Sequence, residues 1–251
     1  MVFAGEVVET GAQVTKYKQG DRLFGWTSIM GLGGHAEYIA LKESGAFTRI
    51  PSGMSYNDAA AIPFGFGTAR HFLSKAKVSK GQRVLIYGAS GAVGSAAVQL
   101  ARSMGAHVTA VCSTRNVELV RSLGATEVLD YTKDDVLAQR DQFDVVFETV
   151  GKLPFKHSLM LVKNGGVLVR GSDMPADPLK RAFSGKGGKQ VSVISGTAAE
   201  SAADMQLLAD LWQRNGIRPV IDSTFPLERI REAHALAESG KKVGSVVITL
   251  P

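Results

Sequence analysis

Cysteine is almost missing from this chain: Cys112 stands alone among 251 residues. One thiol excludes an intrachain disulfide, and a reducing compartment is the natural setting for such a sequence. Long apolar runs are missing too. None approaches the roughly 18 residues that a bilayer span requires, and the N-terminus lacks the plan of a signal peptide. No membrane contact is expected, and the cytoplasm is the expected location. Charge of one sign gathers nowhere. The net charge is +6, yet Lys and Arg are scattered rather than massed into a patch or stripe. Nucleic acid is therefore not an expected partner, and the excess reads as solvated surface or as attraction for a small anionic ligand. Internal repeats and low-complexity segments are absent. What is left, 45% hydrophobic and 21% charged, is the composition of a globular protein with one large domain or two small ones.

The order of patterns along the chain is more informative. Val2 to Thr10 is apolar and β-branched, Lys18 to Arg22 has turn chemistry, and Ala36 to Ala40 reads as a further strand. Short strands with frequent turns predict a small barrel-like β unit. From Ser55, which is suited to N-capping, the pattern turns helical, and a second helix is expected over 68–77. Then apolar runs too short for helices alternate with helical periodicity. Strands are expected at Val84–Tyr87, Val108–Val111, Val128–Leu129, Val145–Phe147, Val167–Val169 and Val191–Ile194, and helices at Val93–Met104 and Val117–Leu123. This rhythm predicts a doubly wound parallel sheet covered on both faces. A helix from Ser201 to Arg214, a strand at Pro219–Ile221, a helix over Leu227–Glu238 and a strand at Val246–Leu250 close the chain.

The strongest local signal is Val84-Leu85-Ile86-Tyr87-Gly88-Ala89-Ser90-Gly91-Ala92-Val93-Gly94. Gly88, Gly91 and Gly94 follow a strand and open a helix. Glycines so placed let the backbone turn tightly and approach a pyrophosphate, while the helix N-terminus offers N–H groups and a positive dipole end. Gly94 permits close packing of helix on strand. Glycine triplets also occur in plain turns, but here the strand, helix and βαβ context that the motif requires is in place.

The end of the next strand bears on NADH against NADPH. An NAD site places Asp or Glu there, about 20 residues on, to hold the ribose 2′-hydroxyl. This chain has Val111-Cys112-Ser113-Thr114-Arg115-Asn116, with no acid to repel a 2′-phosphate. Ser113 and Thr114 can donate hydrogen bonds and Arg115 can pair with the phosphate, which favours NADP(H). Ser113-Thr114 can equally serve as a helix cap, and the two roles are compatible.

At this point the sequence resembles a known group. Gly81-Gln82, Leu85, Ala89-Ser90-Gly91, Gly94, Gln99 and Arg102 are similar to the quinone oxidoreductase (zeta-crystallin) signature of the medium-chain dehydrogenase/reductase superfamily. Ala92 departs from it, standing where a second glycine is usual. Phe3 to Val8, Gly20-Asp21-Arg22, Gly34 to Tyr38 and Arg218 to Asp222 also look like landmarks of that family, so the resemblance spans nearly the whole chain. It implies an α/β protein: a Rossmann doubly wound parallel sheet over 63–216 that binds NADP(H), plus an incomplete GroES-like β-barrel catalytic domain over 1–62 and 217–251. Family members begin with an additional N-terminal stretch, so the resemblance implies a catalytic domain short at its N-terminus.

Carried over position by position, the resemblance puts Gly88, Ser90, Gly91, Ala92, Val93 and Gly94 at the pyrophosphate. Ser113, Thr114, Arg115, Asn116 and Tyr131 would surround the adenosine phosphate and adenine. Thr149, Val150, Gly151 and Lys152 would line the ribose side. Arg170, Gly171, Ser172, Ile194, Ser195 and Gly196 would approach the nicotinamide half, and Thr68 would meet the nicotinamide amide.

Zinc separates the branches of this superfamily. A catalytic zinc needs a thiolate-and-imidazole site, and a structural one often four cysteines. Cys112 alone builds neither, and His35, His71, His107, His157 and His234 show no ligand spacing. No metal site is expected. The implied function is NADPH-dependent hydride transfer to a quinone or an α,β-unsaturated carbonyl, resting on orientation, oxygen-directed hydrogen bonds and solvent protons. No acid–base pair stands out as catalytic. The alternatives are a non-catalytic NADPH-binding module and an NADP-dependent alcohol dehydrogenase. Expected partners are a small quinone, enone or aldehyde and a second copy of the chain, the homodimer meeting through the sheet edge near Val191–Ile194.

Overall fold

The computed structural model describes residues 1–27, 33–171, 182–184 and 188–250, with 182–184 described as backbone only. The chain divides into two compact units, one formed by Met1–Gly67 with Ala199–Pro251 and the other by Thr68–Ala198.

The first unit opens with β1 (Val2–Glu6), β2 (Arg22–Trp26) and β3 (Phe47–Arg49), an antiparallel sheet in the order β1-β2-β3. Leu23, Phe24, Trp26 and Phe47 are buried, and because the consecutive Leu23 and Phe24 point to opposite faces, the central strand β2 is covered on both. Short strands separated by turns are what the N-terminal sequence predicts. The strand expected at Ala36–Ala40 does not form. Its alternation is favourable, but a strand needs a partner for its backbone, and none pairs with it among the described residues; Tyr38 is 72% exposed. Helix α1 (Tyr56–Ile62) starts where Ser55 accepts the Asp58 N–H at 3.0 Å, the expected cap. It runs into a π-helical turn, Pro63–Gly67.

In the second unit α2 (Thr68–Lys75) leads to β4 (Arg83–Tyr87), α3 (Ala92–Ser103), β5 (His107–Cys112), α4 (Val117–Ser122), β6 (Glu127–Asp130) and β7 (Phe143–Glu148). Then come α5 (Phe155–Leu161), β8 (Val162–Arg170), β9 (Ala182–Ser184) and β10 (Gln190–Ser195). The strand order is β6-β5-β4-β7-β8-β10-β9, with all pairs parallel except β10–β9. Taken over its six parallel strands, this is the doubly wound order in which the chain first builds outward from β4, then returns to β4's other side with β7. The central strands are buried on both faces: Val84, Leu85 and Ile86 of β4 and Val145, Val146 and Phe147 of β7 are fully buried. That is why they read as unbroken apolar runs rather than alternating ones. One expectation about the edge is overturned. The segment Val191–Ile194 is not the rim of the sheet, because β9 pairs with Gln190–Ser192 on its outer side.

The first unit is completed by α6 (Ala202–Gln213), capped by Ser201, then by β11 (Ile221–Pro226), α7 (Ile230–Glu238) and β12 (Ser245–Thr249). The two strands pair in parallel. The strand expected at Pro219 begins two residues later, and β11 alternates intermediate and exposed residues, as a strand covered on one face does.

Candidate nucleotide-binding site

Parallel strands all end on the same side of their sheet, and ligands bind outside those carboxyl ends where the winding reverses. Here the reversal lies between β4 and β7. The sequence-predicted residues follow the strand ends one after another: Gly88 to Gly94 after β4, Ser113 to Asn116 after β5 and Tyr131 after β6. Thr149 to Lys152 follow β7, Gly171 follows β8, and Gly196 follows β10. Arg170, Ile194 and Ser195 are the last residues of their strands. Pairing of Tyr87 with Val111 and Glu148, and of Arg170 with Glu148 and Ser195, sets these ends abreast. Thr68 follows no strand of this sheet; it is buried as the first residue of α2. Ser172 falls outside the described residues.

Three glycines perform three tasks in the turn after β4. Gly88 has φ +83°, a left-handed conformation that suits glycine, and a Cβ there would lie 2.6 Å from Val150 Cγ1. Gly94 permits the helix to sit on the turn: a Cβ would stand 2.1 Å from the Gly88 carbonyl oxygen and 2.8 Å from Ala89 Cα. Gly91 differs. Among the described residues its Cβ would meet only the Gly88 oxygen, at 3.5 Å, so they leave that space open. Gly91 is also the N-cap of α3, and no side chain caps the helix there. Its first turn holds no acid. A helix start with uncapped N–H groups, open space above its glycine and no carboxylate in the way fits a pyrophosphate.

The neighbouring turn after β5 is tied to this one. Asn116 is buried, and its amide donates to Ser90 Oγ at 2.9 Å and to Ser113 Oγ at 3.3 Å. The turn after β4 and the turn after β5 thus share one hydrogen-bonded bridge. Arg115 projects from the same turn and is exposed. The absence of acid in Val111–Asn116 does not leave this region without one. Asp130 pairs in register with Cys112 across the sheet and accepts the Thr114 hydroxyl at 2.5 Å. Thr132 gives it a hydroxyl at 2.7 Å and an N–H at 3.0 Å, and Lys133 stands 3.8 Å away. The Thr114 hydrogen bond, with the Thr132 donors and Lys133, holds the Asp130 carboxyl below the usual carboxylate range despite its burial. The Thr114 hydroxyl is thereby engaged by Asp130. Reading along one strand missed this acid because it arrives from the next one. Cys112 is buried, and burial together with the nearby Asp130 charge pushes its thiol up to about 11.

The turn after β7 is built around a residue that sequence reading did not single out. Glu148, fully buried, accepts the N–H groups of Val150 at 3.1 Å, Gly151 at 2.9 Å and Lys152 at 3.2 Å. Thr149 donates its hydroxyl to the Tyr87 carbonyl at 2.8 Å, so this turn is fastened to the end of β4. Arg170 does not extend from its strand end toward open space: it is buried, with its guanidinium 2.6 Å from the Leu153 carbonyl and 4.0 Å from Glu148. The only sequence signal for the pair was a Glu and an Arg closing two apolar strands. Tyr87, half-buried at the centre of these turns, has its phenol pKa raised by burial and by the charges of Glu148 and Tyr131.

With this geometry in view, the comparisons with known proteins are decisive for family. The family described as zinc-binding dehydrogenase matches residues 123–248. The chain is 33% identical to the 2-methylene-furan-3-one reductase of Solanum lycopersicum over 98% of its own length and 61% of that protein's. It is 32% identical to a chloroplast envelope quinone oxidoreductase homolog of Arabidopsis thaliana, over 98% of this chain and 77% of the relative. The chain belongs to the medium-chain dehydrogenase/reductase superfamily, in its quinone oxidoreductase-like branch. Among solved structures, the quinone oxidoreductase from Coxiella burnetii superposes with a TM-score of 0.89 at 27% identity, covering 100% of this chain and 78% of that one. The chain thus spans between about three fifths and four fifths of the length of these relatives. The matched family carries zinc in its description; among the described residues, no group of three His, Cys, Asp or Glu is arranged to hold a metal ion.

Proposed function

We propose that this member of the superfamily is an NADPH-dependent reductase of quinones or α,β-unsaturated carbonyl compounds that works without zinc. One observation carries the reading: the uncapped start of α3 at Gly91, open above its glycine and free of acid in its first turn, beside a turn that presents Ser113 and Arg115. The N–H groups of Ala92, Val93 and Gly94, with the Ser90 hydroxyl, are the groups to bind the pyrophosphate. Arg115 and Ser113 are the groups to bind a 2′-phosphate, and Asn116 keeps their turn in register with the first. Tyr131, 53% exposed, offers a ring to the adenine. When bound, the reduced nicotinamide supplies a hydride. The protein's part is to orient that cofactor and exclude water, and with a single, buried cysteine it has no thiolate set with which to bind zinc. The names of relatives, one a reductase of a methylene-furanone and one a quinone oxidoreductase, support the substrate class. In the same reading residues 63–216 serve the cofactor, the remainder serves substrate, and the protein works as a cytoplasmic homodimer.

The test is a fluorescence titration with NADPH and NADH, followed by addition of a quinone and an enone. Tighter binding of NADPH, with its oxidation when acceptor is added, is the expected result. Absence of NADPH binding would overturn the reading; binding without oxidation by any acceptor would leave a nucleotide-binding module and overturn the reductase.

A further inference from the structure

The geometry points to Glu148 and its partner Arg170 as a positioning pair for the dinucleotide, acting entirely through the backbone of the turn between them. This rests on the nucleotide-binding reading above and deepens it. Glu148 is 0% exposed, so its carboxylate does not reach a ligand. It spends both oxygens on its own chain instead. Oε1 takes the N–H groups of Val150 and Lys152, and Oε2 that of Gly151. Three successive donors converging on one carboxylate leave the turn few alternative conformations. Arg170, on the adjacent strand, closes the far end by donating to the Leu153 carbonyl at 2.6 Å, and it lies 4.0 Å from Glu148. The turn is in addition fastened to the glycine-rich loop. Thr149 donates to the carbonyls of Tyr87 at 2.8 Å and Gly88 at 3.4 Å, and Val150 fills the space where a Cβ on Gly88 would be.

A buried carboxylate costs desolvation energy, and a buried pair at 4.0 Å is weak support for stability as such. What this arrangement gains is a fixed backbone beside the pyrophosphate loop before any ligand arrives, which spares the ordering cost of binding. Because the held turn lies after β7 and the 2′-phosphate candidates after β5, loosening it weakens NADPH and NADH alike.

The substitution Glu148→Gln tests this. The amide keeps one acceptor oxygen but turns an NH2 group toward a backbone donor, so one charge-assisted hydrogen bond is lost and one donor is left facing another. The expected result, by calorimetric titration at 15 °C where the variant is folded, is a Kd for NADPH and for NADH raised on the order of ten-fold, with their ratio unchanged. In turnover, KM for the dinucleotide rises likewise while kcat stays within about two-fold. A lower Tm with unchanged Kd would show a merely structural role and overturn the proposal. Should the variant not fold, hydrogen exchange on the wild-type protein decides. Amides of Val150, Gly151 and Lys152 protected before ligand is added support the pair's role, and free exchange overturns it. Wild-type protein that binds neither dinucleotide would instead overturn the function on which the inference rests.

Discussion

Replacing Gly91 and Gly94 separately by alanine should split folding from binding, although the two sit three residues apart in one turn. At Gly94 the new methyl would stand 2.1 Å from a backbone oxygen and 2.8 Å from a backbone carbon. Neither can swing away as a side chain would. Overpacking of this kind costs about 1–3 kcal/mol, more where backbone must move, and the gain in helix propensity returns about 1 kcal/mol at most. Because backbone must move, the cost sits at the upper end of that range, and a net loss of about 2 kcal/mol corresponds to a fall in Tm of several degrees. At Gly91 the methyl meets a single oxygen at 3.5 Å, an ordinary contact, and φ there is −76°. Alanine is a poorer N-cap than glycine by roughly 0.5–1 kcal/mol, whereas the stiffer unfolded chain contributes about 0.4–1 kcal/mol the other way. The two offset, so stability should hold within about 0.5 kcal/mol of wild type. The methyl nevertheless occupies the space a pyrophosphate would use. Loss of two charge-assisted hydrogen bonds, about 3 kcal/mol together, weakens NADPH binding on the order of 100-fold. Thermal unfolding and fluorescence titration of both variants measure this. G91A that binds NADPH within about three-fold of wild type would refute the placement of the pyrophosphate, and G94A with an unchanged Tm would refute the packing argument.

Further outcomes follow from the same geometry. Arg115→Glu should weaken NADPH binding at least about ten-fold by putting like charge against the 2′-phosphate, and leave NADH within about three-fold; equal losses would remove Arg115 from that role. Asp130 has its pKa lowered in the folded protein, first by the Thr114 hydrogen bond. A depressed folded pKa means that the ionised form stabilises the fold above the unfolded value of about 3.9, and that this stabilisation is lost as pH falls through the lower folded value. Urea unfolding of Asp130→Asn should therefore show a shallower loss of stability between pH 5 and pH 2 than wild type, and identical slopes would refute the assignment. Cys112, buried with its thiol near 11, should react with a disulfide reagent at pH 8 only as fast as the chain unfolds. Prompt labelling of the native protein would contradict that environment.

The doubly wound sheet was legible because its central strands are buried on both faces. Val84-Leu85-Ile86 and Val145-Val146-Phe147 cannot be anything but interior, and the glycines after the first of them mark the turn. Elements that depend on a partner were harder to read. Ala36–Ala40 has strand alternation but no neighbour to pair with among the described residues, whereas Phe47–Arg49, three residues long, becomes a strand because β2 lies beside it. Helix α5 gives little sequence signal: it is seven residues long, begins at Pro154 without a side-chain cap, and buries only Ser158 and Leu161. The candidate site shows the same division. The glycine turn announces itself, since the chemistry needs that spacing within one segment. Asp130 and Glu148 do not, because each acts on a turn through a register or a burial that only the assembled sheet creates.

The unit built from both chain ends carries a consequence for how the protein comes into being. Its first 67 residues and its last segment, from Ala199, are separated by the whole of the parallel-sheet unit. Thr48 of β3 donates to Gln206 of α6 across 158 positions of sequence. On a ribosome, the parallel-sheet unit can close as soon as residue 198 has emerged, while β1 to β3 must wait for α6 to cover them. During that wait Leu23, Phe24 and Phe47, buried in the finished protein, lack their later cover. Synthesis thus passes through a stage with one finished unit and one sticky, half-made one, and a chain that stops before residue 202 would remain there, a target for chaperones and proteases.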